Sequence, residues 1–308
     1  VKKGLIENMP KASMKTIKRR IKSVGSTLQI TKAMEMVASS KLRRAKHRAE
    51  ALRPYFEAHA DMLSDIAASK TDFSTVFTAK REIKNRLFIV IAGDRELAGG
   101  FNSNVLRLVA NYEKEQGSSV PAKIIAIGKR TVDYFRKKER EIIAEYPHFC
   151  ENIKPGRCAD IAGIVTDMFK AGEVDEVLLV YTSYISALRQ EPTLIKLLPF
   201  DVNNKPRITV GREKQEDDSI KKQEDINYDP TPEAVFDRII PKMFLSMISC
   251  ACIDSFASEQ SARRNAMESA SDNASDMIDK LSLQYNRARQ EKITNEINEI
   301  VGGANAIS

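Results

Sequence analysis

The chain has 308 residues, 42% of them apolar and 30% charged, a length that fits two structural units or one unit with long extensions. Aromatics make up 6% and Trp is absent, which argues against a carbohydrate-stacking groove. The net charge of +7 is uneven: residues 11–53 hold thirteen Lys/Arg against Glu35 and Glu50, a local +11 that leaves −4 elsewhere. Such a basic stretch suits nucleic acid, anionic lipid or an acidic protein surface.

No uninterrupted run of about 18 apolar residues is present, so no helix is expected to cross a membrane. Cys150, Cys158, Cys250 and Cys252 show no CxxC spacing, and His47, His59 and His148 are scattered. Small buried thiols in a reducing compartment are expected, without a zinc site or a disulfide framework. The N-terminus shows no apolar segment of the kind that directs secretion.

In chain order, residues 1–13 read as a flexible lead-in. From Pro10 to Pro54 there is no proline, and Met14, Ile17, Ile21, Val24 and Leu28 recur at helical spacing, continued by Met34, Val37 and Leu42. This predicts an amphipathic helix over 14–60, on the order of 70 Å long, which needs a partner along its stripe. Arg86 to Ala92 is a continuous apolar run bounded by Gly93, as in a buried parallel strand. Ser103 is expected to cap a helix running to about Gln116. Lys123–Ile127 reads as a second strand, followed after Gly128 by a short helix through Arg136. A helix over 160–171 leads to the strand Val177–Tyr181, and Leu194–Leu198 reads as an edge strand. The alternation predicts an open, Rossmann-like α/β domain over 80–210.

Residues 211–230 are a charged linker. The final helix, over 231–303, has Phe236, Ile240, Met243, Met247 and Cys250 as its first apolar run, then Ile278, Leu281, Tyr285 and Ala288, then Ile293, Ile297 and Ile300. Gly302-Gly303 is expected to stop it. Between Asp254 and Asp276, alanine and serine stand at the inward positions, which predicts a slim polar coiled coil rather than a core helix. The expected architecture is an α/β domain inserted between two long terminal helices.

Motifs for chemistry are sparse. The turn Gly93-Asp94-Arg95-Glu96 through Gly99-Gly100 is neither a dinucleotide fingerprint nor a phosphate loop, and Asp94 and Glu96 would repel phosphate. There is no nucleophile elbow or metalloprotease helix. The basic first helix lacks the interleaved aromatics that favour nucleic acid, so on residues alone its partner stays open.

The segment Ile30-Thr31-Lys32-Ala33-Met34-Glu35-Met36-Val37-Ala38-Ser39-Ser40-Lys41 closely resembles the N-terminal signature of the gamma subunit of F-type ATP synthases. Asp94-Arg95 with Gly99-Gly100-Phe101-Asn102, Ser258 to Arg263, Ser271 to Ala274, Tyr285 to Thr294 and Glu299 to Ala304 continue the resemblance in order.

The resemblance implies a central rotor shaft, the two terminal helices wound as an antiparallel coiled coil inside a hexamer of alternating alpha and beta subunits. The α/β domain would sit at the foot, against epsilon and the membrane c ring. Rotation would bias each beta site differently and so couple ion flow to ATP synthesis or hydrolysis. By the same resemblance the chain has no catalytic site, cofactor or metal of its own, ATP, ADP and Mg being bound by alpha and beta. It would reach the cytoplasmic side of a bacterial membrane only through the complex. Arg289 and Gln290 match a polar pair that hydrogen-bonds a beta loop. Lys32 and Met34 match the part of the first helix that faces beta, and Tyr228 and Asp229 a c-ring contact.

The sequence departs from the family pattern at Gly25 to Gln29, at Glu96 and Ala98, and at Arg264, where Met is common. Cys150 and Cys158 carry no insertion like the redox pair of chloroplast relatives, so thiol control is not expected. The rival reading is a nucleic-acid-binding coiled-coil protein using the basic helix, whose affinity would collapse with salt.

Overall fold

The computed structural model describes residues 13–68, 74–116, 120–201 and 228–305. Most of the predicted lead-in and linker lies outside them. The elements are α1 (Met14–Ala68), β1 (Arg86–Ile91), α2 (Phe101–Glu115), β2 (Ala122–Ile127), α3 (Lys129–Lys137), β3 (Ile142–Tyr146), α4 (Pro155–Lys170), β4 (Glu176–Tyr184), β5 (Gln190–Leu198) and α5 (Pro232–Asn305). Two compact units share them: Ala38–Arg264, and Val1–Val37 with Asn265–Ser308.

The larger unit is built on one sheet in the order β3-β2-β1-β4-β5. β1 to β4 are parallel and β5 returns antiparallel along β4. β3 was not foreseen, because five residues with a charge among them carry little apolar signal. Side chains alternate between the two faces. Phe88 and Val90 of β1, Ile124 of β2 and Leu178 of β4 face α2 and α3, packing on Val105, Val109 and Phe135. Leu87, Ile89 and Ile91 with Ile125 and Leu179 face α4 and segments of both long helices, including Phe56, Leu63, Phe236, Met247 and Ala257. The second face is therefore closed by α4, the later part of α1 and the earlier part of α5.

That packing explains three differences from expectation. α1, expected to end near residue 60, runs through Pro54 and on to Ala68, because Phe56, Leu63 and Ile66 are buried at helical spacing and their burial outweighs the backbone hydrogen bond lost at Pro54. By average composition α5 contains a stretch apolar enough to cross a membrane, yet 78% of that stretch is buried within the protein. The segment from Asp254 to Arg263 is a core helix in spite of its polarity, with Asp254 and Ser258 fully buried.

Local details also shift. Gly100, not Ser103, is the N-cap of α2, and the Ser103 hydroxyl donates back to the Gly100 carbonyl at 3.0 Å. α4 starts at Pro155, whose fixed φ and missing N–H suit a first helical turn. Gly128, between β2 and α3, has φ +92°, and a Cβ there would lie 2.0 Å from the Ala92 carbonyl oxygen, so only glycine fits. All four cysteines are buried free thiols.

In the smaller unit α1 and α5 pair side by side. The α1 seam is Met14, Ile17, Ile21, Val24, Leu28, Thr31 and Met34. Val37, expected on this stripe, is 55% exposed, because the buried position passes to Thr31 and then to Ala38. On α5 the half-buried seam of Leu281, Tyr285 and Ala288 ends at Ala288. α5 then runs through Gly302 to Asn305, so the glycine pair does not stop it.

Candidate functional site on the two long helices

A Rossmann-like sheet takes ligands at the carboxyl ends of its strands, where strand order reverses, here between β1 and β4. That crevice is filled by α5. A Cβ at Gly93 would meet the Glu259 carboxyl carbon at 3.0 Å. The Asp254 carboxyl group accepts the Tyr184 N–H and the Ser183 hydroxyl, each at 3.1 Å, at the end of β4. One turn on, the Ser258 hydroxyl donates to the Thr182 carbonyl at 3.1 Å. The Ser261 hydroxyl donates to the Ala187 carbonyl at 2.9 Å in the β4–β5 hairpin. Arg263 pairs with Glu259 at 2.6 Å and donates to the Glu96 carbonyl at 3.3 Å.

Burial governs the charges here. It pushes the Asp254 pKa up to about 8, against the pull of the two hydrogen bonds. It raises Glu259 too, opposed by the Arg263 guanidinium. Asp94, expected to repel phosphate, is used structurally. One carboxylate oxygen accepts the N–H of Lys129, at the start of α3, and the N–H of His148, each at 2.8 Å. A carboxylate at a helix N-terminus is favourably placed against the helix dipole.

The candidate contact residues fall in three places. Lys32 is exposed on α1 and Met34 half-buried on its seam. Beside Lys32, the Thr31 hydroxyl meets that of Ser271 at 2.7 Å and fixes the register of the pair. Arg289 and Gln290 are exposed on α5. Arg289 stands eighteen residues beyond Ser271, about 27 Å along the helix and level with the start of α1. The structure therefore does not bring Arg289 together with Lys32. Tyr228, in the larger unit, is half-buried against the core, and Asp229 beside it is exposed.

From Arg289 to Gly302 every residue is exposed. Among them Ile293, Ile297, Ile300 and Val301 are 47–71% exposed, and Ile30, Met36 and Val37 of α1 are also uncovered. Sequence reasoning missed the buried polar stripe of α5. Its signal was present, since Asp254, Ser258 and Ser261 recur at helical spacing among apolar neighbours that demand a core.

A nucleotide-type sheet with its crevice filled, joined to paired helices that display uncovered apolar and basic side chains, defines a protein that works by contact with partner chains. A family model described as ATP synthase matches residues 13–307. The chain belongs to the ATP synthase gamma chain family. It is 49% identical to the ATP synthase gamma chain of Ruminococcus albus over 94% of this chain and 96% of that one. It is 41% identical to the sodium ion specific ATP synthase gamma chain of Acetobacterium woodii, covering 96% and 99%. Among solved structures, a chain of the Euglena gracilis mitochondrial ATP synthase aligns over 96% of this chain and 94% of that one, at 20% identity and TM-score 0.64. A chain of the Tetrahymena thermophila mitochondrial ATP synthase, from its central stalk and c ring, aligns over 79% and 99% at 24% identity and TM-score 0.58. The last two likenesses concern the fold alone. The nucleic-acid reading of the basic helix finds no support among these relatives.

Proposed function

We propose that the chain is the central rotor subunit of an F-type ATP synthase, coupling ion passage through the membrane sector to ATP synthesis or hydrolysis by its partners. The observation that carries this reading is the outer end of α5, where Ile293, Ile297, Ile300 and Val301 are exposed beyond Arg289 and Gln290. Apolar side chains at that spacing call for a covering surface, and a hexamer of alternating alpha and beta subunits supplies one. Arg289 and Gln290 bond a beta loop, while Lys32 and Met34 face an acidic segment of beta. The exposed cations Lys15, Lys18, Arg19, Arg20 and Lys22 of α1 add attraction toward such a lining.

In this reading the chain performs no chemistry itself, and ATP, ADP and Mg are held by alpha and beta. As the asymmetric shaft turns, each beta subunit meets a different face of α1 and α5. Each nucleotide site is thereby biased toward a different affinity. The α/β domain stands at the foot against epsilon and the c ring, the latter through Tyr228 and Asp229. The chain reaches the cytoplasmic membrane face as a peripheral member of the complex.

Reconstitution tests the reading. The chain mixed with alpha and beta subunits should give one stable complex, with about one copy per hexamer and cooperative ATP turnover at moderate salt. Absence from any hexamer, with salt-sensitive binding to DNA or RNA instead, would return the function to the basic helix.

A further inference from the structure

We propose that the buried polar stripe of α5, formed by Asp254, Ser258 and Ser261 with Arg263 opposite, is a torsional lock that stops the helix rolling on the α/β domain. The proposal deepens the rotor reading and rests on it. A rotor that receives torque at its α/β domain and delivers it along a helix must not let that helix turn in its seat.

Apolar packing alone resists such turning poorly, because it is non-directional. Much of the seat is of this kind, with Met243, Met247, Phe244 and Ala251 buried along α5. Methionines in particular adapt to a shifted neighbour. Hydrogen bonds behave differently, since they need heavy atoms about 3 Å apart and aligned. The stripe's partners are largely backbone groups fixed in the sheet and its loops: the Tyr184 N–H and the carbonyls of Thr182 and Ala187. The Gln190 amide also reaches the Ser261 hydroxyl, at 3.4 Å.

The placement around the helix matters as much. At about 100° per residue, Asp254, Ser258 and Ser261 share one face, whereas Arg263, nine residues after Asp254, lies about 180° away. Its guanidinium is oriented by Glu259, one turn earlier on the same helix, and reaches across to the Glu96 carbonyl of the β1–α2 loop at 3.3 Å. The helix is thus gripped by several bonds on the hairpin side and by this one on the β1 side. A roll of the helix misaligns the hairpin-side bonds and separates Arg263 from Glu96. An apolar stripe of similar volume would fill this core at less desolvation cost, so the polar residues are better explained by orientation than by stability.

The test uses the complete membrane-bound complex in vesicles, measuring ATP hydrolysis and ATP-driven ion uptake on the same preparation. Ser258→Ala with Ser261→Ala removes two grips while raising helix propensity. Two lost hydrogen bonds should raise the rate of slip by roughly 30-fold. The expected result is ATP hydrolysis retained while ions moved per ATP fall. Asp254→Ala should act in the same direction, and Asp254→Asn, which retains an acceptor for the Tyr184 N–H, should restore coupling. Should the double variant fail to assemble, Ser261→Ala alone is read in the same way. Unchanged ions per ATP in assembled complexes overturn the lock and leave the rotor reading standing. Failure of the wild-type chain to join the hexamer removes both.

Discussion

The hydroxyls of Thr31 and Ser271, 240 residues apart in sequence, meet 2.7 Å from one another inside the seam between α1 and α5. Both residues are buried, at 8% and 4% exposure, in a contact otherwise lined by apolar and small side chains. A buried polar pair in such a seam specifies register, because any shift along the helices separates the two hydroxyls.

Thr31→Val or Ser271→Ala alone leaves the opposite hydroxyl without this partner and should destabilise the folded chain by about 1–3 kcal/mol. The double variant should cost less than the sum of the singles. Urea unfolding of all four species closes the cycle, and additive single effects would show that the pair does not act as a unit.

Asp254 predicts a pH dependence. Its carboxyl, raised by burial to about 8, faces Ser183 and the Tyr184 N–H, with the buried Tyr181 nearby. The unfolded chain releases this proton near pH 4, roughly the reference value, while the folded chain holds it to about 8. Between those values the folded state binds more protons, so stability falls as pH rises. Glu259, also raised, adds a slope of the same sign. Asp254→Asn should flatten the dependence and match or exceed the native protein's stability at pH 8. Denaturant midpoints across the range check this, and an unaltered slope would remove Asp254 as the source.

Arg86 and Glu176 form an ion pair at 2.9 Å, almost fully buried at the amino ends of β1 and β4, and Lys196 reaches the same carboxylate at 3.0 Å. Arg86→Ala removes the acid's buried ionic partner and leaves the half-exposed Lys196 as its counter-charge, and should cost about 3 kcal/mol, whereas Lys196→Ala, at the exposed end, should cost about 1 kcal/mol or less. Thermal unfolding separates the two, and equal losses would contradict this assignment.

Arg289→Ala should leave the isolated chain as stable as before, since Arg289 is exposed. In the assembled complex, loss of a charged hydrogen bond to beta should cost roughly 1.5–3 kcal/mol in the conformer that makes it. ATP turnover should fall with assembly intact. Turnover at the native rate would exclude Arg289 from the coupling contact.

Much of the architecture was legible from local patterns. Helical spacing from Met14 to Leu28 and the apolar runs of β1, β2 and β4 reflect periodicities that the backbone itself imposes. The family was legible as well, because its motifs are contiguous along the chain. Other features were not legible in local patterns. β3 gains its place by pairing with β2, Thr31 rather than Val37 holds the buried seam position beside Ser271, and α5 continues through Gly302 to Asn305.

The sequence by itself determined the elements, the two-faced strands and the basic helix, since each depends on neighbours within a few residues. Only the tertiary structure decided that Asp254, Ser258 and Ser261 lie in the core rather than in a solvated coil. Burial of a polar side chain depends on whether a distant backbone group stands ready to bond it, and those groups, at the end of β4 and in its hairpin, lie about seventy residues away in the chain.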